Sequence, residues 1–264
     1  MSVLVFDIET IPDIEGGQKI YDLEGLDDKS TAKAMYHLRQ QQTGHDFLPL
    51  HLHKIVAISV VYRGMGDNMD HEVFVRSLGD EQSTEAELLT AFFAEIQQRT
   101  PTLVSWNGSG FDLPVIHYRS LKNSISAPTY WDQGNINDEF RHDNYLNRHH
   151  QRHTDLKDVL ASYNHNATAS LNDIALLLGF PGKTGMDGSF TAKGSVWQEY
   201  QAGNLKSIRD YCETDVLNTY LIYLRYQLMR GELKTEALEQ EFLLLRHYLK
   251  QGDTHLTQFL KTWE

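Results

Sequence analysis

The sequence predicts an α/β fold: a mixed β-sheet, with a three-strand antiparallel meander plus parallel strands, flanked by helices. Three apolar runs at residues 3–11, 55–62 and 72–76 are predicted to be consecutive strands, and a turn-rich GMGDN segment separates the second from the third. From residue 84 onward helical and strand patterns alternate, which is typical of a sheet with parallel strands. No repeat or linker divides the chain, so we expect a single domain over residues 1–264.

The helices after the meander are predicted from the residues at their ends. Thr84 and Glu87 form a capping-box pattern that starts a helix. Pro101 prevents continuation beyond about Arg99, and a short strand is expected at residues 102–106. Further helical patterns occupy residues 111–121, 171–178, 205–230 and 233–250, and the second and third of these are followed by glycine.

Two long segments lack a regular pattern. Residues 14–52 are polar, with one expected helix around residues 31–42. Residues 122–153 look loop-like, and the stretch 141–153 contains three Arg and four His. Long loops in compact domains are often lids or binding elements. Because the adjacent histidines of this stretch lack the regular spacing of a zinc site, we interpret it as a flexible basic loop.

The composition predicts a soluble, cytoplasmic protein. With 41% hydrophobic and 23% charged residues in 264, the chain is globular and not disordered. No apolar run approaches the roughly 18 residues of a membrane helix. The first strand is broken by Asp7 and Glu9, so a signal peptide is not expected either. Cys212 is the single cysteine, which excludes an intramolecular disulfide and fits a reducing compartment.

The net charge limits the kind of nucleic-acid binding that is possible. A formal charge of −12 argues against coating nucleic acid with a broad basic surface, because such binding needs many Lys and Arg contacts to phosphate. The same charge is compatible with a site that contacts only a few nucleotides and binds phosphate with the help of metal ions. Clustered carboxylates can hold divalent cations, whose charge then reverses the local field.

The first candidate acids lie on the first strand. Asp7 and Glu9 share one face of VLVFDIETI and are about 7 Å apart along it. They stand in an apolar run, where unpaired carboxylates would be strongly penalised by desolvation. The D-x-E pattern alone is weak evidence, because it occurs four times. We interpret the three other pairs as solvated surface acids: Asp13/Glu15, Asp22/Glu24 and Asp70/Glu72.

The second candidate element is NGSGFD, which runs from Asn107 to Asp112 between a strand and a helix. A glycine loop that opens a helix is a common ligand site, because backbone N–H groups and the helix dipole favour negative charge there. Other interpretations stay open at this point. Asp112 could merely cap the helix, Phe111 could belong to the core, and Asn107 could be a turn residue.

The third element is YCETD in the long helix. Tyr211 and Asp215 are four residues apart, so they share one helical face about 6 Å apart along the axis. Of the thirteen tyrosines, this is the one with Asp four residues later. Asp210 and Glu213 point elsewhere, and we interpret them as solvent-facing.

These three motifs carry a resemblance to a known family. D-I-E-T, N-x-x-x-F-D and Y-x-x-x-D, in this order, resemble the exonuclease motifs of the DEDD superfamily, which has a ribonuclease H-like fold. The chain is most similar to the 3′–5′ proofreading exonuclease domain of family B DNA polymerases, here in a stand-alone bacterial form. SLNDIALLLGFPGKTGMDG and YCETDVLNTYLIYLR add to this similarity. The resemblance covers a core of about residues 3–230 and leaves a helical extension at 231–264.

The resemblance implies a metal-dependent active site. Its motif acids would bind two divalent cations, Mg²⁺ or Mn²⁺, which prefer oxygen ligands. Tyr211 would position the attacking water, because a phenol is a poor proton acceptor at neutral pH. The four implied metal ligands are Asp7, Glu9, Asp112 and Asp215.

The resemblance also implies a substrate. We expect hydrolysis at the 3′ end of single-stranded nucleic acid, with DNA favoured, to release nucleoside 5′-monophosphates. An exoribonuclease, or a catalytically silent nucleic-acid-binding module, is the alternative. Lys183 could hold the substrate or be an ordinary loop lysine. The implied substrate contacts are Thr10, Ile11, Asn107, Phe111 and Lys183, with the 141–153 stretch as a further candidate.

Overall fold

The structure, a computed structural model, describes residues 2–65, 71–183 and 195–264. These ranges leave out most of the GMGDN segment, Asp70 and residues 184–194. The strands are β1 (Val3–Pro12), β2 (His53–Met65), β3 (His71–Ser77), β4 (Thr102–Ser105) and β5 (His153–Asp155).

The sheet is mixed, as predicted. Its strand order is β3-β2-β1-β4-β5. β2 pairs antiparallel with both β1 and β3, which confirms the meander. β4 runs parallel to both β1 and β5. With helices on both faces, this arrangement is consistent with the ribonuclease H-like fold that the motifs imply.

Helices account for most of the remaining described residues. None of those the structure describes has the length and apolarity needed to cross a bilayer. The predicted helices are all present, and the capping box of Thr84 and Glu87 forms as expected. In chain order the α-helices are α1 (Ile14–Tyr21), α2 (Asp28–Thr43), α3 (Glu85–Arg99), α4 (Asp112–Lys122), α5 (Pro128–Trp131), α6 (Leu156–Leu160), α7 (Leu171–Leu177), α8 (Ser195–Gln201), α9 (Leu205–Met229), α10 (Thr235–Lys250) and α11 (Thr254–Trp263).

Strand β1 is buried on both faces. Val3 and Val5 pack in a cluster with the C-terminal half of α9, and Leu4 and Phe6 pack in another with α3. This alternation follows from the period of two residues in a strand. Residues 7 and 9 continue the face of Val3 and Val5, so their carboxylates point towards α9.

The expectation that residues 122–153 are loop-like is wrong in part. The segment contains α5 and a short 3₁₀ turn, and it ends at β5. The Tyr145 hydroxyl donates to the carbonyl of Pro101 at 2.8 Å. Arg152 covers the ring of Phe140 and donates to the carbonyl of Thr100. These contacts come from residues distant in sequence, so local composition did not reveal them.

Asp13 is not a solvated surface acid, contrary to our interpretation. It is 3% exposed, and Arg119, at 2% exposure, donates to both Asp13 and Glu85. Lys122 adds an ion pair to Asp13 at 2.8 Å. Burial opposes ionisation of Asp13, but the hydrogen bonds from Lys122 and Arg119 outweigh it and lower the pKa of that carboxyl. This network joins the end of β1 to α3 and α4.

Asp210 and Glu213 are also not solvent-facing. The Nε2 atom of His255 lies 2.7 Å from a Glu213 oxygen, and the backbone N–H of Ser77 donates to the same carboxylate at 2.7 Å. Lys206 pairs with Asp210 at 2.7 Å. Helix α11, which lies within the expected helical extension at 231–264, covers this face of α9 and buries both acids.

We expect Arg119→Met to destabilise the protein strongly. The change leaves Glu85 and Asp13 as buried carboxylates without their shared cation, which typically costs about 3–5 kcal/mol in free energy of unfolding. Urea denaturation monitored by circular dichroism measures this loss.

Lys19→Met is the control for this prediction. Lys19 pairs with Glu15, but both side chains are more than 60% exposed. Its loss should leave the free energy of unfolding almost unchanged, because solvent screens an exposed ion pair. Equal effects of the two substitutions would contradict the importance of the buried network.

Candidate active site

The candidate site lies where β1 extends past its parallel neighbour. β4 pairs with β1 over Val3, Val5 and the residue between them. Beyond this point β1 is not paired with β4, and the backbone N–H of Ile8 donates to the Asp112 carboxylate at 3.1 Å. Asp112 is the first residue of α4, which follows β4. The topology therefore brings the second motif against the first.

Asp7 and Glu9 lie together on the face of β1 that points towards α9. Ligand atoms of Asp7, Glu9 and Cys212 are all within 4.8 Å of one another. The Cys212 Sγ atom lies 3.6 Å from an Asp7 carboxylate oxygen. Burial is the main cause that raises the pKa of the Cys212 thiol, and the nearby carboxylates add to it. It stays a thiol, which is a poor ligand for a hard cation.

Helix α9 brings the third motif to the same place. Tyr211 and Asp215 are both buried, as their shared helical face predicted. Lys183 Nζ lies 2.9 Å from an Asp215 oxygen and donates to the Tyr211 hydroxyl at 2.8 Å. The interpretation of Lys183 as an ordinary loop lysine is therefore wrong. Burial alone would lower the pKa of Lys183. The neighbouring Asp215 and Tyr211 outweigh this effect and raise the pKa well above its usual range.

The glycine loop before Asp112 is held by a residue that sequence reasoning missed. The Asp155 carboxylate accepts the backbone N–H groups of Asn107 at 2.9 Å and Ser109 at 2.8 Å. Lys157 donates to the Asn107 side chain at 3.0 Å. Asn107 has a φ of +70°, so it is the turn residue of this loop. Asp155 ends β5, a three-residue strand too short to show a pattern, so no sequence signal indicated it.

Asp112 does more than cap its helix. Phe111 occupies the N-cap position and makes no side-chain cap. The Asp112 carboxylate is buried and accepts its hydrogen bond from Ile8 on β1. The interpretation of Asp112 as only a cap is therefore wrong.

Similarity to known proteins is consistent with this geometry. A family model described as a predicted 3′–5′ exonuclease related to the exonuclease domain of PolB matches residues 45–263. The chain belongs to this family. A comparison with curated proteins gives no match. The match includes Asp112, Tyr211 and Asp215 but begins after β1, so the structure alone connects Asp7 and Glu9 to the other motif residues.

The carboxylates of this predicted exonuclease repel one another. Burial, then the charges of Asp112, Asp215 and Glu9, raise the pKa of Asp7 well above its usual value. Burial and the charge of Asp215 raise the pKa of Glu9 to about 8. Burial is also the main reason why the pKa of Asp112 is raised to about 7. The pKa of Asp215 is raised for the same reason. The four groups interact electrostatically, as the resemblance implied.

These residues fit a divalent cation, and 3′–5′ exonucleases generally use such metals. The Oδ1 atom of Asp215 is buried and has no hydrogen-bond partner among the described residues. Asp7 and Glu9 keep part of their surface open to solvent. Hard cations such as Mg²⁺ and Mn²⁺ take carboxylate oxygens and keep several waters. Clustered acids with raised pKa values and an unsatisfied oxygen are a suitable ligand set for them.

The implied substrate residues line the site in different ways. Phe111 is partly buried against the ring of His53, at 5.1 Å between centroids. The Thr10 hydroxyl is 2.9 Å from His53 Nδ1. Ile11 is buried in a cluster that includes Cys212. Burial lowers the pKa of His53, so its ring is neutral near pH 7.

We expect the stability of the metal-free protein to fall as pH rises, because of Glu9. Its pKa is about 8 when folded and about 4.5 when unfolded, so the folded state binds more protons between these values. Without metal, Glu9→Gln should therefore be more stable than the wild type near pH 8 and equal to it near pH 4.5. Thermal denaturation in EDTA at several pH values measures this.

Added Mn²⁺ provides the complementary test. The metal competes with protons for the same oxygens, so its stabilising effect should be larger near pH 8 than near pH 6. Glu9→Gln should reduce that stabilisation. An equal shift in Tm at both pH values would argue against a carboxylate metal site.

Proposed function

We propose that this protein is a metal-dependent 3′–5′ exonuclease. It would hydrolyse phosphodiester bonds at the 3′ end of single-stranded nucleic acid, with DNA favoured, and release nucleoside 5′-monophosphates. Membership of the exonuclease family supports a nuclease. The observation that carries the proposal is that four acids, from β1, α4 and α9, lie close together beside Tyr211 and Lys183.

In this proposal Asp7, Glu9, Asp112 and Asp215 hold two divalent cations. Bound there, a pair of such ions supplies a water of lowered pKa and positive charge for the leaving 3′-oxygen. The protein supplies the ligand oxygens, and its packed side chains exclude bulk water from the buried side of the site. Cys212 and Ile11 form part of that buried wall.

Tyr211 would orient the attacking water. Burial, then the charge of Asp215, raise the pKa of Tyr211 well above its usual range. The hydroxyl therefore keeps its proton and cannot be a general base. The hydroxyl accepts from Lys183 and also hydrogen-bonds to Asp215, and it would donate to a water or a phosphate oxygen once a cation takes over the Asp215 oxygens.

Lys183 would hold the scissile phosphate. Its ammonium group is already beside Asp215, so a phosphate bound at that carboxylate's cation would come within its reach. The same charge offsets part of the repulsion among the acids. This role is consistent with the few nucleotide contacts expected for a chain of net charge −12.

The substrate contacts and the cellular setting remain proposals. β4 does not pair with β1 beyond Val5, so backbone groups at Thr10 and Ile11 could contact the terminal nucleotide on that side. Phe111 could stack on a base, while Asn107 is already bonded to Lys157 and would act through the loop. A single domain over residues 1–264 and a cytoplasmic location stay predictions.

The direct test uses a single-stranded oligonucleotide labelled at its 5′ end. With Mg²⁺ or Mn²⁺ we expect a ladder that shortens from the 3′ end, and no products with EDTA. Asp7→Ala and Asp215→Ala should lower the rate by about 10³-fold or more, because each substitution removes a ligand of the cations that stabilise the transition state.

Two controls make this test specific. Glu24→Ala removes an exposed acid from another D-x-E pair and should leave the rate unchanged. Parallel DNA and RNA oligomers of one sequence separate a deoxyribonuclease from an exoribonuclease. Absence of metal-stimulated hydrolysis on both polymers would favour a silent binding module instead.

We expect Tyr211→Phe to slow hydrolysis by about ten- to a hundredfold with KM little changed, because water orientation is lost but the metal ligands remain. Steady-state kinetics on the labelled oligonucleotide measure both constants. Tyr226→Phe, near the far end of α9, is the matched control and should behave as the wild type. A large rise in KM alone would mean that Tyr211 binds substrate rather than orients water.

A further inference from the structure

An exposed aromatic surface lies beside the candidate active site. Phe47 and Tyr118 are each 48% exposed. Phe47 contacts Phe111 at 5.9 Å and His53 at 5.2 Å between ring centroids. Tyr118 contacts His51 at 6.0 Å. We call Phe47, Phe111, His51, His53 and Tyr118 the aromatic strip.

The strip begins at the metal-ligand residues. Phe111 directly precedes Asp112, and the ring of His53 bonds to Thr10, which directly follows Glu9. Tyr118 is seven residues after Phe111 on α4, which places it on the same helical face about 10 Å further along. Along α4, Tyr118 therefore lies further from the proposed metal ligands than Phe111 does.

Phe47 is held in its exposed position by its neighbours. The following residue, Leu48, is 2% exposed and packs with Met35 and Leu52. Arg39 donates to the carbonyl of Phe47 at 2.9 Å. The backbone of Phe47 is therefore fixed, and about half of its ring surface is open to a ligand.

The chemistry of the strip favours nucleobases over phosphates. His53, which lies beside Phe47 and Phe111 in the strip, is neutral at pH 7 because burial lowers the pKa of its ring. No Lys or Arg makes a ring contact with the strip among the described residues. Aromatic rings bind unpaired bases by stacking, with little dependence on sequence. Such bases are available in a single strand and not within a duplex.

We propose that Phe47 stacks on the base next to the 3′-terminal nucleotide and that Tyr118 extends this platform to nucleotides further upstream. The inference rests on the proposed exonuclease function and specifies its substrate as an unpaired 3′ end several nucleotides long. Phe111 lies closest to the metal ligands, so the terminal nucleotide belongs beside it. Phe47, one ring further out, then meets the preceding base.

The test compares a substrate with many bases and one with a single base. The first is single-stranded oligothymidylate, and the second is the p-nitrophenyl ester of thymidine 5′-monophosphate. Phe47→Ala should raise KM for oligothymidylate by about tenfold, the effect of losing one stacked base, with kcat little changed. Its kcat/KM for the ester should fall much less. Phe47→Trp should restore KM, and oligothymidylate should quench the new indole fluorescence.

Leu243→Ala is the matched control for loss of an exposed apolar side chain. Leu243 is 62% exposed on α10, a helix that packs against β3 and α9. It should leave both substrates unaffected. A Tm measurement on each variant checks folding, and the Trp variant keeps the test informative if the Ala variant is unstable.

The outcomes separate this inference from the proposed function. A wild-type protein that cleaves neither substrate refutes the nuclease itself. A wild-type protein that cleaves oligothymidylate, with Phe47→Ala at wild-type KM, overturns the inference alone. Equal losses on the two substrates also overturn it, because they would place Phe47 at the terminal nucleotide. A change in oligomeric state with unchanged KM would instead make the strip a protein-docking surface.

Discussion

The mutual repulsion of four closely placed carboxylates, two of them buried and two partly buried, is the interaction on which the candidate site depends. Asp7 and Glu9 point from β1 towards α9, and Asp112 and Asp215 approach them from α4 and α9. Burial raises the pKa of all four, and neighbouring carboxylates raise it further for Asp7, Glu9 and Asp112, whereas Lys183 and Tyr211 partly offset the rise at Asp215. Within the described residues, Lys183 is the cation that pairs with Asp215 there. A site of this kind is stable as an anion only when further positive charge arrives.

The same end of β1 shows how this fold treats carboxylates that have a structural role. Asp13 is as deeply buried as Asp112 and Glu85 is also buried, but Arg119 satisfies both through its planar fork of donors. The pKa of Asp13 is lowered, whereas the pKa of Asp112 is raised to about 7. Two groups of acids, one around Asp13 just after β1 and one around Asp7 and Glu9 on β1, are thus paired in one case and left for an external cation in the other.

Helix α9 connects the candidate active site to the core and to the C-terminal helices. Its first turns carry Tyr211 and Asp215, and its second half fills the cluster under β1 and β4. Glu213, between the two motif residues, bonds to His255 of α11 and to Ser77 of β3. The position of the α9 face that carries Tyr211 and Asp215 therefore depends on packing by a helix that lies outside the motif-bearing core.

Local pattern in the sequence determined the meander, the capping box of Thr84, the long helix, and the shared faces of Asp7 with Glu9 and of Tyr211 with Asp215. These follow from periods of two and 3.6 residues, which any short window displays. Only the tertiary structure decided which acids are paired. Asp13 and Glu213 meet partners more than 40 residues away, and Asp155 ends a strand of three residues. The ionisation and exposure of a side chain depend on what packs over it, and that information is not local in the chain.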